Sequence, residues 1–140
     1  MLKPSTQLVL GDVAKTIPRF IKKDIAPVGF VAFDLDYYTS TKDALNLFEA
    51  PNSKMLPRVF YYFDDIIGTD EEIISEYVGE LLAINEFNKR HKHKISKING
   101  MYHKRVIKSA WSDMIYVFHV FSHKLYNTYI YPKDERQTHL

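Results

Sequence analysis

The chain has 140 residues, 46% of them hydrophobic and 26% charged, with no cysteine and a formal net charge of +2. That length predicts a single domain over residues 1–140, large enough to bury about 68% of its unfolded surface without covalent staples. The absence of cysteine excludes a disulfide framework and any thiolate metal site. The near-balance of charge argues against a nucleic-acid footprint.

No apolar run reaches the roughly 18 residues a membrane helix needs. The aromatic-rich stretch near the C-terminus is broken by His119, His123 and Lys124. Met1-Leu2-Lys3-Pro4-Ser5 lacks a charged-then-apolar signal pattern. These features together predict a cytoplasmic globular domain with neither nucleic acid nor membrane as a partner.

In chain order, Leu8-Val9-Leu10 closed by Gly11-Asp12 reads as the end of a strand. Residues 13–23 read as a helix with Val13, Ile17, Phe20 and Ile21 on one face. Val28–Phe33 is a continuous apolar run, the pattern of a strand buried on both sides. Ser40 with Asp43 predicts an N-terminal capping box, and Ala44, Leu45, Leu47 and Phe48 an apolar helical face that lasts until Pro51.

Val59–Phe63 is the second continuous strand. Thr69 with Glu72 predicts another capping box, followed by a long helix through Ile73, Ile74, Tyr77, Val78, Leu81, Leu82 and Phe87. From Ile95 to Pro132 the chain is rich in Val, Ile, Tyr and Phe, which predicts two or three strands, antiparallel towards the end. This alternation predicts an α/β fold: a mostly parallel sheet in a three-layer sandwich, with a right-handed crossover between the two continuous strands.

The acids fall where that fold would bind a ligand. Asp34 and Asp36 follow one predicted strand, and Asp64 and Asp65 follow the next. Parallel strands bring their C-terminal ends to one edge of the sheet. Four carboxylates there raise one another's pKa until a proton or a cation neutralises them, and hard oxygen donors suit Mg²⁺, Mn²⁺ or Ca²⁺. Asp residues after strands also serve as turn formers and helix caps.

Gly11-Asp12, the run Phe33-Asp34-Leu35-Asp36-Tyr37-Tyr38-Thr39-Ser40-Thr41, and Phe63-Asp64-Asp65 together resemble the C-terminal half of a class I S-adenosylmethionine-dependent methyltransferase of the macrocin O-methyltransferase type. The likeness spans about residues 8–66 and rests on the block Asp-x-Asp-x-Tyr-x-Ser-Thr followed by a second Asp-Asp. It implies a Rossmann-like fold lacking its first strands, since none of the five glycines forms a Gly-x-Gly cofactor loop. It further implies S-adenosylmethionine and a divalent cation as cofactors, and a sugar or phenol hydroxyl as methyl acceptor.

On the same resemblance Asp34, Asp64 and Asp65 are metal ligands, and Asp36 is the catalytic base or a further ligand. Gly11 and Asp12 are placed at the cofactor, although a strand-end turn is the better account of them from the residues alone. Tyr38, Ser40 and Thr41 are architectural. A completing partner chain or self-association follows from a sheet short of its first strands.

Two alternatives stand beside this reading: a non-catalytic truncated or degenerate module, and a glycosyltransferase using Asp34-Leu35-Asp36 to hold a metal on a nucleotide sugar. The basic run Lys89–Lys94 reads as a solvated helix end. His103, His119, His123 and His139 have no metal-ligand spacing, and His119 and His123 would lie about 13 Å apart on a strand. The aromatics of Tyr116–Tyr131 read as core and hairpin pairs, or as an exposed edge or face.

Overall fold

The computed structural model describes residues 5–68, 74–99, 106 and 109–128. Leu8, Val9 and Leu10 are exposed and form no strand; no described strand lies beside them to complete their hydrogen bonds. Helix α1, Val13–Phe20, follows, and the Asp12 carboxylate accepts the Ala14 amide at 3.0 Å as its cap. Pro18 offers no amide to extend the ladder, and the helix closes two residues later rather than reaching residue 23. The Lys54 ammonium donates to the carbonyls of Ile21 and Lys23, tying the end of α1 to the start of the second strand.

Strand β1, Val28–Phe33, is followed by helix α2, Tyr38–Ala44, and a 3-10 turn over Leu45–Glu49. The cap position is Tyr37, so Ser40 lies inside α2 rather than capping it. Strand β2 is longer than expected, Met55–Phe63, and pairs in parallel with β1. Helix α3 spans Gly79–Arg90 with Val78 at its cap. The predicted helical residues Ile74, Tyr77 and Val78 therefore precede it, and the Thr69–Glu72 box lies outside the described residues.

Strands β3, Lys94–Lys97, and β4, Ile115–His119, pair antiparallel, as the C-terminal pattern predicts. The Lys94 ammonium donates to the carbonyls of Asn88 and His91, a cation at the end of α3 as the basic run implies. His123 lies in the turn beyond β4 instead of on a strand, and His103 and His139 fall outside the described residues.

The result is an α/β fold with a four-stranded mixed sheet of order β1-β2-β4-β3. Because β4 opposes both β2 and β3, only the β1–β2 pair is parallel. One core joins the sheet to the helices: Phe33, Val59, Tyr61, Phe63 and Phe118 meet Ala44, Leu45, Phe48, Ala83, Ile84 and Phe87, and Val13, Ile17 and Phe20 of α1 pack against the same cluster.

The three-layer expectation is corrected. Among the described residues the helices share one face of the sheet, and burial alternates along β2. Its outward positions Leu56 and Phe60 are 44% and 46% exposed, and Phe30 of β1 is 60% exposed. An unbroken apolar run signals burial on both faces only if both are covered. Among the described residues the second face carries apolar side chains without such a layer. Among the described residues no helix is long and apolar enough to cross a membrane.

Candidate metal centre

The parallel register sets the site. Phe33 lies opposite Phe63, so the residues that follow emerge on the same rim, where the Asp64 amide donates to the Phe33 carbonyl at 3.1 Å. Asp36 occupies the left-handed region at φ 53°, in a tight turn closed by the Tyr37 amide on the Leu35 carbonyl. Asp and Asn adopt this conformation more readily than other non-glycine residues.

The turn carries the Asp36 amide onto Asp65 Oδ2 at 3.0 Å. One carboxylate oxygen each from Asp34, Asp36 and Asp65 then lies within 4.8 Å of the others. Asp34 and Asp36 are exposed and Asp65 is half-buried.

Of the four acids expected at this rim, three are brought together. Asp64 also sits there, but its carboxylate accepts the Tyr62 hydroxyl, a hydrogen bond that raises the phenol's pKa. Asp36 joins the group as the further-ligand alternative requires. The charge of Asp65 raises the Asp36 pKa, followed by desolvation and the charges of Asp34 and Asp64. The charges that raise it are all negative, and three hard oxygen donors within 4.8 Å of one another suit a divalent cation.

Gly11 and Asp12 lie outside this group. Gly11 has φ 131° at the turn into α1, and Asp12 caps that helix while pairing with Lys15 at 3.4 Å. Tyr38 and Thr41 act architecturally. The Tyr38 hydroxyl donates to Glu86 Oε2 at 2.7 Å, joining α2 to α3.

The residue beneath the rim is Glu80, which sequence reasoning missed. It lies in the first turn of α3, is 0% exposed, and accepts the Asp65 amide at 3.1 Å through Oε2. Its Oε1 lies 3.4 Å from the Thr41 hydroxyl, which also reaches the Tyr37 carbonyl at 3.1 Å. Burial raises its pKa from 4.5 to about 7, against the lowering effect of the Asp65 amide. A signal was available: Glu80, Ala83, Ile84 and Phe87 recur at helical spacing, placing the carboxylate on the buried face.

No family model matches the chain, and neither a curated protein nor a solved structure matches it significantly.

Proposed function

We propose that the chain is the metal- and acceptor-binding part of a cytoplasmic, S-adenosylmethionine-dependent O-methyltransferase. The observation that carries this reading is the meeting of Asp34, Asp36 and Asp65 oxygens within 4.8 Å at the ends of two parallel strands. The Asp-x-Asp-x-Tyr-x-Ser-Thr block and the second Asp-Asp add the resemblance.

In this reading Asp34 and Asp65 hold a divalent cation from the two strand ends. Bound there, the cation lowers the pKa of an acceptor hydroxyl. Asp36, exposed on the same rim, would accept that proton. Glu80 holds the Asp65 backbone from below, and Thr41 ties Glu80 to α2.

Thermal melting with millimolar MgCl2 or MnCl2 tests the metal. The melting temperature is expected to rise in the wild type and not in the Asp34→Asn, Asp65→Asn double variant. No rise in the wild type overturns the cation site. Calorimetric titration with S-adenosylmethionine tests the donor separately, and competition by a nucleotide sugar would favour the glycosyltransferase alternative.

A further inference from the structure

Three histidine rings converge on one turn at the opposite end of the chain, and the hydrogen-bonding direction of two of them is fixed by backbone amides. Beyond β4 the Val120 amide donates to the Pro57 carbonyl at 3.1 Å, and the next amide, Phe121, donates to His93 Nδ1 at 3.0 Å. A backbone amide only donates, so Nδ1 presents its lone pair and the neutral ring carries its proton on Nε2. That nitrogen lies 3.1 Å from Ser122 Oγ, which also accepts the Asn52 side-chain amide at 2.8 Å.

The Leu125 amide donates in the same manner to His123 Nδ1 at 3.0 Å. His119 stands between the Ser96 hydroxyl at 2.9 Å and the Tyr126 hydroxyl at 2.8 Å, stacked on Phe121. Arg58 closes the far side, its guanidinium over the Tyr126 ring and donating to the Tyr126 carbonyl.

We propose that residues 120–128 form an acid-released latch, pinned to the loop after α3 by a His93 nitrogen that accepts the Phe121 amide only while unprotonated. A second proton on His93 would sit on Nδ1 and face the Phe121 amide, donor against donor.

The charged surroundings mostly favour the neutral rings. Around His93, Lys92 and His91 flank it on its own loop, while Asn52, Ser122, Phe118 and Phe121 are uncharged. Glu49 lines the same cavity but lies 3.9 Å from His91. His119 faces Arg58 from β2, and its cross-strand neighbour Lys94 sends its ammonium to the carbonyls after α3. Lys124 follows His123 in the chain.

Burial, then neighbouring positive charge, lowers the pKa of His93 and of His119. The closed turn therefore binds fewer protons than the open one. Closure is complete above the ordinary histidine value near 6.5 and weakens as pH falls through the lowered values.

Amide hydrogen exchange at Phe121, corrected for the intrinsic pH dependence of exchange, reads the latch in the full chain. Between pH 7.5 and 5, protection at this amide is expected to fall by about tenfold or more, while that of Val59 and Phe118 holds. Long-range nitrogen spectra should show His93 as the Nε2-protonated tautomer at pH 7.5.

His93→Asn keeps an acceptor near the Nδ1 position but does not titrate, so it should retain Phe121 protection at pH 5. The His93 tautomer in the wild type gives a second route if that variant folds poorly. Unchanged wild-type protection at pH 5, the opposite His93 tautomer, or loss of Phe121 protection in folded His93→Asn equal to that in the wild type would each overturn the latch.

Discussion

Asp65 is held from both sides: its carboxylate accepts the Asp36 amide at 3.0 Å, and its own amide donates to Glu80 at 3.1 Å. A buried side chain on α3 thereby fixes the backbone of one rim acid, which in turn fixes the turn carrying another. Removing the Asp34 charge should bring the Asp36 pKa down towards its ordinary value, measured by carboxyl NMR titration in Asp34→Asn. The larger contribution of Asp65 should remain.

Glu80 makes stability depend on pH. Its folded pKa, about 7, lies above the ordinary 4.5, so the folded chain binds the extra proton. Stability is greatest below 4.5 as far as this group is concerned, and falls as pH rises towards 7, by about 3 kcal/mol in total. Chemical denaturation between pH 5 and 7.5 should show this decline in the wild type and a much flatter profile in Glu80→Gln, which keeps an acceptor for the Asp65 amide.

Tyr61 is fully buried among Phe33, Phe48 and Phe63, and its hydroxyl has no hydrogen-bond partner among the described residues. An unsatisfied buried hydroxyl is costly, whereas the ring packing is retained by phenylalanine. Tyr61→Phe should raise unfolding free energy by about 1 kcal/mol, read from denaturant curves with an unchanged slope.

Among the described residues the outward sheet face carries exposed Phe30, Leu56 and Phe60, with Arg58 between the last two on β2. Contiguous apolar surface of this kind promotes association. Phe60→Thr, with Phe30→Thr, should lower light scattering at high protein concentration while preserving the circular dichroism of the fold. Equal scattering from the two proteins would place association elsewhere.

The parts legible in the sequence were those set by local pattern. Continuous apolar runs marked β1 and β2, and the acids immediately after them marked the rim, because strand direction alone carries both ends to one side. The roles within the rim were not legible. Whether Asp36 or Asp64 joins Asp34 and Asp65 depends on a left-handed turn at Asp36 and on the Tyr62 hydroxyl, neither of which leaves a spacing signal.

That the described helices share one face of the sheet was also hidden, since Phe30 and Phe60 look the same in sequence whether covered or bare. The helix boundary failed for another reason. Ile74, Tyr77 and Val78 continue the apolar rhythm of α3, but left-handed Gly79 opens the helix after them.

Phe48 sits in a short 3-10 turn, yet its ring reaches Tyr61 of β2 at 4.5 Å, Phe87 of α3 at 5.5 Å and Phe118 of β4 at 4.1 Å. One side chain from a five-residue turn therefore rivets the helical layer to two strands of the sheet. Loss of volume at that point would slacken both layers together, so helix and sheet signals should melt in one cooperative transition rather than in sequence.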